Sequence, residues 1–484
     1  MLDSTLPLPE FPLRVHLLLV AATVLIGCHG STATAPSTTG VPVAKVTVMA
    51  PAIAGTALTL PVGATLQLAA VTQDAALDTL TLRIVSWSSS AGAIAMVTST
   101  GLVSTLTAGS ATITATSEGK TGAVTLTVAS PGSAITFSKV TAGGFHSCGL
   151  TAGGSAYCWG DNVHGELGNG TTTTVSPFPV VGALSFAVVS AGYFHSCGVT
   201  VAGAAYCWGD NSYRQLGDTT AVTRYSPVAV AGGFSFTTVS AGFRHNCGLT
   251  ASGAAYCWGD NLYGELGNGT TSTSGTPVAV SGGLAFSAVV TGYYHSCGLT
   301  TGGAAYCWGD NEHGELGDTT TTNRSAPVPV AGGHVFVALA AGTYHSCGLT
   351  AIGAAFCWGN DGNGALGDGA QRDESVPVAV VGGLNFGSLS AGTSYTCGVT
   401  TAFATWCWGY NAQGELGNGA TTDSSTPIIV GGGLQFASVS AGHYHVCARS
   451  TAGSTYCWGD NTDGQLGNGS TAPSLAPVKV SGQP

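Results

Sequence analysis

The sequence predicts an all-β protein, in which a seven-bladed β-propeller is preceded by a small β-sandwich. Three observations predict this fold class. A block of about fifty residues occurs seven times between residues 135 and 484, every block contains short runs of alternating apolar and small residues, and residues 44–129 have a different composition, rich in Val, Leu and Thr. Such alternation, interrupted by clusters of Gly, Asn, Asp and Thr, is typical of short strands and turns.

The repeat is marked by a Cys-Trp-Gly triplet. Its tryptophan recurs once after 49 residues and then after every 50, at Trp159, Trp208, Trp258, Trp308, Trp358, Trp408 and Trp458. A fixed period of this length predicts units that bury their apolar faces only against their neighbours. Four short antiparallel strands per unit form one propeller blade, and seven blades close a disc with no long exposed edge. An open β-solenoid is the alternative, but its coils are usually shorter and lack a repeated four-stranded meander.

The pattern A-G-x-x-H-S-x-x-L-T-x-x-G-x-x-Y-x-W-G-x-N-x-x-G-x-L-G runs through residues 135–484 and resembles the repeat of the regulator of chromosome condensation family. This resemblance implies a seven-bladed propeller. Blade six departs from the pattern with Tyr395 in place of histidine and with Trp-Gly-Tyr-Asn, and blade five reads Trp-Gly-Asn-Asp. The other blades carry the histidine, at His146, His195, His245, His295, His345 and His445.

Fourteen of the fifteen cysteines form pairs ten residues apart, one pair in each block. The pairs are Cys148 with Cys158, Cys197 with Cys207, Cys247 with Cys257, Cys297 with Cys307, Cys347 with Cys357, Cys397 with Cys407, and Cys447 with Cys457. Each pair flanks a turn, so its members lie opposite each other in an antiparallel hairpin, within reach of a disulfide. We predict seven disulfides and an oxidising compartment. Buried free thiols are the alternative, and zinc is disfavoured because two thiolates per blade lack the close spacing and ligand number of a tetrahedral site.

Residues 1–27 are predicted to be a lipoprotein-type signal peptide. Their apolar run is too short to span a membrane and ends in Leu25-Ile26-Gly27-Cys28. This end resembles a bacterial lipoprotein cleavage box, which implies lipid attachment at Cys28 and accounts for the odd cysteine. A plain secretory signal is the alternative. The Ser-, Thr-, Ala-, Gly- and Pro-rich residues 28–43 are predicted to be a flexible linker, and we expect an exported protein of the cell envelope that meets the membrane by its lipid anchor only, or a secreted one.

Residues 44–129 are predicted to form six or seven short strands in a small sandwich. The order V-G-A-T-L-Q-L, S-W-S-S-S, G-L-V and G-S-A-T-I-T-A resembles group 2 bacterial immunoglobulin-like domains. The resemblance implies an immunoglobulin-like β-sandwich that holds another module away from the envelope. Trp87 is predicted to be its core aromatic residue.

The charge of the chain excludes one class of partner. Only 7% of the residues are charged, and 12 Lys and Arg stand against 23 Asp and Glu, which gives a net charge of −11. A nucleic-acid-binding face needs a cluster of basic residues. We therefore expect no nucleic acid partner, and the chromatin and nucleotide-exchange roles of the nuclear relatives are not carried over.

Two short segments in every block are predicted to form a binding surface. The hairpin leaves from A-G-x-x-H and returns to W-G-D-N-x-x-G, so both segments lie on the same face of the disc, where their x-x residues vary between blades. From the first segment we predict binding residues that are rich in aromatic side chains, as interface hot spots are: Phe145, Tyr193, Phe194, Phe243, Arg244, Tyr293, Tyr294, Tyr344, His443 and Tyr444. The second segment varies in the same way, at Val163-His164, Ser212-Tyr213, Leu262-Tyr263, Glu312-His313, Gly362-Asn363, Ala412-Gln413 and Thr462-Asp463. The alternative is that several of these rings only fill the central opening or pack against adjacent blades.

Neither a metal site nor a catalytic site is predicted. The recurring histidine is expected to form a hydrogen bond with a neighbouring loop, because seven-fold related residues meet at ligand distance only very near the axis. The acidic loops offer oxygen ligands such as Asp161 and Glu166 for calcium, but they lack EF-hand spacing, and their Asp, Asn and Gly are ordinary turn formers. Catalysis requires one unique constellation, whereas Ser, His and carboxylates recur here from blade to blade. We expect no enzyme activity and no cofactor.

These observations favour a non-catalytic binding protein of the cell envelope that recognises a protein or an envelope polymer through one face of a disulfide-linked propeller. A structural or adhesive surface protein is one alternative. A secreted enzyme inhibitor or hydrolase is another.

Overall fold

The computed structural model describes residues 41–49, 57–61, 65–129, 135–172, 175–182 and 184–483. These ranges contain strands, turns and loops but no helix, and therefore no long apolar helix that could cross a membrane. The predicted signal peptide, Cys28 and most of the predicted linker lie outside the described residues. The all-β fold class is confirmed.

The described residues of the N-terminal domain form ten short strands in three sheets, so the prediction of six or seven strands is wrong. The first sheet contains Lys45–Met49, Ala69–Gln73 and Thr79–Leu80; the second contains Ala57–Pro61, Lys120–Ala129, Gly109–Ser117 and Ser86–Ser89; the third contains Thr65–Gln67, Leu102–Thr105 and Ala95–Val97. The number is higher because the chain changes sheets within single segments. Leu68, for example, separates two strands, and its backbone N–H donates to Gly101 O at 2.9 Å.

Alternation along the strands fills the core of this sandwich. In Gly109–Ser117, Ala111, Ile113 and Ala115 point inward and are buried, while the residues between them are more exposed, as a period of two requires. Trp87 packs against this core and is half-buried. Its predicted place as a core aromatic residue is confirmed.

Residues 135–483 form seven four-stranded antiparallel sheets, each with its strands in sequence order. The first strands are Phe137–Ala142, Phe186–Ala191, Phe236–Ala241, Phe286–Thr291, Phe336–Ala341, Phe386–Ala391 and Phe436–Ala441. The second strands are His146–Thr151, His195–Thr200, His245–Thr250, His295–Thr300, His345–Thr350, Tyr395–Thr400 and His445–Ser450. The third strands are Ala156–Gly160, Ala205–Gly209, Ala255–Gly259, Ala305–Gly309, Ala355–Gly359, Thr405–Gly409 and Thr455–Gly459. The fourth strands are Val175–Pro179, Arg224–Ala229, Ser274–Ala279, Arg324–Pro329, Glu374–Ala379, Ser424–Ile429 and Ser474–Lys479.

The central hairpin of every blade is closed by a disulfide. In blade one Cys148 lies directly opposite Cys158, with Cα atoms 4.1 Å apart and a sulfur–sulfur bond between them. The other six predicted pairs are bonded in the same way: Cys197 to Cys207, Cys247 to Cys257, Cys297 to Cys307, Cys347 to Cys357, Cys397 to Cys407, and Cys447 to Cys457. All fourteen cysteines are buried. The seven predicted disulfides are confirmed, and buried free thiols are excluded at these positions.

Each disulfide lies in an apolar cluster that two adjacent blades share. Between blades one and two, the bridge of Cys148 and Cys158 and Leu167 of blade one pack with Phe186 and Trp208 of blade two. Equivalent clusters hold the tryptophan of each following blade. One blade alone would expose these residues, so the apolar core exists only in the assembled ring.

A hydrogen-bonded unit of polar groups also joins blades one and two across this boundary. The Trp208 ring Nε1–H and the Ser196 hydroxyl of blade two both donate to Glu166 O of blade one, at 2.7 and 3.0 Å. Since the hydroxyl hydrogen is used in that bond, the His146 Nε2–H donates to Ser196 Oγ at 2.7 Å. The partner of the recurring histidine is therefore a residue of the next blade's second strand, and the predicted hydrogen bond to a loop is wrong. The imidazole of the histidine extends across the boundary between two blades and does not point toward a loop.

The same unit joins blade seven to blade one and closes the ring. Trp159 Nε1–H and the Ser147 hydroxyl donate to Gln465 O, and His445 Nε2 lies 2.8 Å from Ser147 Oγ. Arg449 adds a bond from its Nε–H to Phe137 O at 2.9 Å. These contacts exclude an open solenoid for the described residues.

Tyr395 replaces the recurring histidine in blade six, and the residue that faces it in blade seven explains why. The following blade has Val446 where the others offer a hydroxyl or amide, so a histidine here would have no partner. The Tyr395 hydroxyl reaches further and donates to backbone oxygens of blade seven, Gly442 O at 3.0 Å and His445 O at 2.8 Å. Tyr395 and Val446 are completely buried in one cluster.

Candidate functional site

The two variable segments of each blade lie together on one face of the ring. At the base of blade one the Asp161 N–H donates to Phe145 O at 2.9 Å, and the equivalent bond occurs in every other blade. These backbone bonds join the segment before the second strand to the loop after the third strand. The prediction that both segments share a face is confirmed.

The first variable position of each blade surrounds the axis. Here Tyr193 lies at the centre of an aromatic cluster, with its ring centroid 4.8 Å from that of Phe243, 5.5 Å from that of Tyr293 and 4.8 Å from that of His443. Phe243 stacks on Tyr293 at 3.6 Å and is only 5% exposed. These rings fill the central opening, which was the alternative interpretation of the sequence for this position.

Backbone hydrogen bonds hold the ring together beneath these side chains. The N–H groups of Gly144, Tyr193, Tyr293, Thr343 and His443 each donate to a glycine oxygen of the next blade. A Cβ atom on Gly192 would lie 2.7 Å from Gly242 O, so the close approach of the blades requires glycine. An axial cavity of about 90 Å³ is lined by the seven A-G-x segments.

The second variable position forms an outer ring of residues that pair across blade boundaries. Each partner comes from the exit loop, the loop that follows the third strand, of the preceding blade. The ring-centroid distances are 5.4 Å for His164–Phe194, 5.0 Å for Tyr263–Tyr294 and 5.7 Å for His313–Tyr344, and the Arg244 guanidinium lies 3.9 Å above the Tyr213 ring. Four consecutive boundaries therefore present four different side-chain pairs on one backbone frame.

Blade six interrupts this aromatic surface. Its entry segment, the stretch between the first and second strands, carries Thr393 and Ser394 at the two variable positions. Blade five has Thr343 at its first variable position. The Thr393 hydroxyl is buried and has no hydrogen-bond partner among the described residues. The face is therefore asymmetric, with large rings on one side and small polar side chains on the other.

Each exit loop is fixed by one buried polar side chain, an asparagine in six of the seven blades. In blade three Asn261 Oδ1 accepts from Leu266 N–H at 2.9 Å, and Asn261 Nδ2–H donates to Thr270 O and Ser272 O at 3.0 and 3.1 Å. Asp361 takes this place in blade five, where its Oδ1 accepts from Leu366 N–H at 2.8 Å. The loop backbone is held by these bonds, so its two variable residues are free to differ.

A buried carboxyl group supports four of the exit loops. Glu166, Glu265, Glu315 and Glu415 each accept a backbone N–H through Oε2, while Oε1 is buried without a partner among the described residues. Burial, followed by the negative charge of Asp161, raises the pKa of Glu166 from 4.5 to about 8. Blades two and seven have glutamine instead, and Gln215 Nε2–H donates to Asp210 Oδ2 at 2.8 Å.

The predicted binding residues differ in their accessibility. Phe243 is buried, and Tyr193, Tyr293 and His443 belong mainly to the central cluster. The six others of the predicted set are half-buried in the outer ring: Phe145, Phe194, Arg244, Tyr294, Tyr344 and Tyr444. Their exit-loop partners belong to the second variable segment, which was predicted to lie on the same face but was not included among the ten predicted binding residues: His164, Tyr213, Tyr263 and His313.

No group of three or more His, Cys, Asp or Glu residues in the described part of the chain is arranged to hold a metal ion. The six recurring histidines are buried, and burial lowers the pKa of His146 to about 3, with the neighbouring His195 and His445 as lesser causes. Their rings are fixed to the next blade through Nε2. Their positions indicate a structural role in joining blades.

The repeats match a family model described as Regulator of chromosome condensation (RCC1) repeat, at residues 153–199, 202–249, 252–299, 302–349, 404–449 and 452–484, more than half of the chain. The chain belongs to this family. A second RCC1 repeat model matches residues 137–166, 186–215, 236–265, 286–315, 336–365 and 436–465, and so leaves the hairpin of blade six, with Tyr395, unmatched. Residues 42–128 match the Bacterial Ig-like domain (group 2).

Solved structures similar to this RCC1-repeat chain support the fold. Human WBSCR16 has a TM-score of 0.62 and 20% identity, over 68% of this chain and 94% of that chain. Yeast RCC1 (Prp20) bound to Kap60 has a TM-score of 0.61 and 18% identity, over 72% and 85%. Prp20p from Saccharomyces cerevisiae has a TM-score of 0.61 and 20% identity, over 69% and 87%. A search among curated protein sequences gave no match.

Proposed function

We propose that this RCC1-repeat propeller is a non-catalytic binding protein and that it recognises a protein partner through the outer ring of side chains on its variable face. The observation that carries the proposal is the set of different side-chain pairs on an otherwise repeated frame, at His164–Phe194, Tyr213–Arg244, Tyr263–Tyr294 and His313–Tyr344. Half-buried aromatic and Arg side chains on a rigid backbone offer contact area at a low entropic cost.

Similar structures support a protein partner over other classes. Yeast RCC1 (Prp20) was crystallised with Kap60 bound to it, and the structure of Prp20p is described together with its binding to Gsp1p and histones. The present chain is acidic, with a net charge of −11, which disfavours nucleic acid. An envelope polymer would need the same aromatic surface and is an outcome that the experiment below distinguishes.

We further propose that the protein acts outside the cytoplasm, with residues 1–27 as its export signal and Cys28 as its lipid anchor. Seven buried disulfides favour an oxidising compartment. Labelling of the wild-type protein by a fatty-acid analogue, lost on Cys28→Ala, is the expected result. Equal labelling of both proteins would contradict the anchor and leave the binding proposal untouched.

The binding proposal is tested by site-specific photo-crosslinking. A photoreactive phenylalanine replaces either Tyr294, in the outer ring, or Phe403, an exposed residue in the turn between the second and third strands of blade six. We expect a saturable adduct at position 294 that Tyr344→Ala weakens, and no such adduct at position 403. Protease treatment distinguishes a protein adduct from a polymer adduct. The same adduct profile at both positions would refute the variable face as the binding surface.

A further inference from the structure

We propose that the partner inserts a cationic side chain, a lysine or an arginine, at the boundary of blades three, four and five, among Tyr263, Tyr294, Tyr344 and Glu312. These four residues form the proposed cation site. This inference rests on the proposed function and specifies the chemistry of the partner at one place on the variable face.

The chain itself shows that this frame accommodates a cation. At the boundary between blades two and three, the Arg244 guanidinium lies 3.9 Å from the Tyr213 ring centroid and 4.3 Å from that of Phe243. Tyr213 comes from an exit loop, and Phe243 and Arg244 come from the next entry segment. At these distances a cation is attracted to the negative face of an aromatic ring.

One blade further on, the same positions lack a cation of the chain's own. Tyr263 replaces Tyr213, Tyr293 replaces Phe243, and Tyr294 stands in the place of Arg244. The Tyr294 ring lies 5.0 Å from Tyr263 and 4.5 Å from Tyr293, both centroid to centroid. Tyr293 in turn lies 6.2 Å from Tyr344. Among the described residues no cation stacks on these rings. Arg244, which stacks on Tyr213 and Phe243, acts on Tyr293 and Tyr294 only through its charge.

Negative charge is concentrated at the same boundary. Glu312 is exposed in the exit loop of blade four, where the other blades have Val163, Ser212, Leu262, Gly362, Ala412 and Thr462. No ion pair or side-chain hydrogen bond of Glu312 occurs within the described part of the chain. Burial, and then the carboxylates of Asp310 and Glu312 among others, raises the pKa of Tyr263 and of Tyr344, which is consistent with acid close to both rings.

The arginines that begin two of the fourth strands are paired with aspartates of their own blades. Arg224 pairs with Asp218 and Arg324 with Asp318, each at 2.9 Å. His313, next to Glu312, is held by Asp373, with Nδ1 and Oδ2 2.7 Å apart. An exposed carboxylate without an ion pair, close to the Tyr263 and Tyr344 rings, is complementary to an ammonium or guanidinium group and repels an acidic or phosphorylated ligand.

The experiment uses the full chain and two synthetic peptides, one of alternating glycine and arginine and one of alternating glycine and glutamate. Binding is measured by calorimetry at low salt. We expect the arginine peptide to bind saturably and the glutamate peptide not to bind. Tyr344→Ala should weaken binding about 5-fold, in keeping with the strength of exposed cation–π contacts, and Glu312→Gln about 3-fold, as the loss of an exposed ion pair does.

Asp78→Asn is the matched control, because Asp78 is an exposed acid of the N-terminal domain and the substitution changes the net charge equally. If Glu312→Gln and Asp78→Asn weaken binding of the arginine peptide equally, the overall charge of the protein accounts for the effect and the proposal is overturned. Binding of the glutamate peptide would also overturn it. If the arginine peptide does not bind while the adduct at position 294 persists, the cation proposal fails and the binding face stands.

Discussion

Glu166→Gln tests the buried carboxyl groups beneath the variable face. Glu166 is 1% exposed, its Oε2 accepts from His164 N–H at 2.9 Å, and its Oε1 has no partner among the described residues. Blades two and seven have glutamine at the position equivalent to Glu166. Its side-chain amide donates to an aspartate, as Gln215 Nε2–H does to Asp210 Oδ2. The substitution therefore installs in blade one a side chain that the protein already uses at the equivalent position.

The effect should depend on pH with a definite sign. The pKa of Glu166 is raised from 4.5 to about 8 by burial first and by Asp161 second. A raised pKa means that the folded protein binds the proton more tightly, so the stabilising contribution is present below pH 4.5 and is lost as pH rises through about 8. One pKa unit corresponds to about 1.4 kcal/mol, so the gain from Glu166→Gln should be on the order of 3 kcal/mol larger near pH 8 than near pH 5.

The measurement is guanidinium unfolding of wild type and variant at both pH values, with the disulfides intact. Gln215→Glu is the reverse change in blade two and should destabilise the protein mainly near pH 8. A difference between Glu166→Gln and wild type that is the same at both pH values would refute the account of a buried, protonated carboxyl group.

Three further predictions concern the joints between blades. Tyr395→His should destabilise the protein by about 1–3 kcal/mol because it leaves a buried imidazole without a partner. Val446→Ser should also destabilise it, by about 1–2 kcal/mol, because a hydroxyl replaces buried apolar atoms. The double variant should recover much of the loss in denaturant unfolding, since the new hydroxyl can accept from the imidazole; strict additivity would contradict the pairing. Replacing Cys247 and Cys257 together by alanine should cost about 2–3 kcal/mol, measured by the same titration, and an unchanged midpoint would contradict it. Burial lowers the pKa of His146 to about 3, so its contribution to stability is present above about pH 6.5 and is lost as the pH falls toward 3. His146→Asn should therefore make the stability of the protein less dependent on pH in this acid range. An acid unfolding profile identical to that of the wild type would argue against this.

Much of the fold could be predicted from periodicity because each blade is a local structure. The Cys148 and Cys158 positions, ten residues apart around a turn, define a hairpin register without any knowledge of neighbouring blades. The shared face of the two variable segments follows from the same hairpin. The number of strands in the N-terminal sandwich could not be predicted in this way, because the change of sheet at Leu68 depends on its bond to the distant Gly101.

The candidate site was predicted less completely. The variation of Tyr193, Phe243 and Tyr294 between blades marked the segments that form the variable face, but it did not separate residues that fill the opening from residues that face outward. That distinction depends on distance from the axis, and Phe243 is buried only because it stacks on Tyr293 of the next blade. The pairing of Arg244 with Tyr213 likewise crosses a blade boundary.

The sequence by itself determined the repeated unit, its strands, its seven disulfides and the net negative charge, since these depend on residues close together in the chain or on composition. Only the tertiary structure decided which residue of the next blade each histidine contacts, why blade six has Tyr395, and that Glu312 has no ion pair among the described residues. Those features are contacts between residues of different blades, often about fifty positions apart. Such distances are fixed by the packing of one blade on the next and by the closure of the ring.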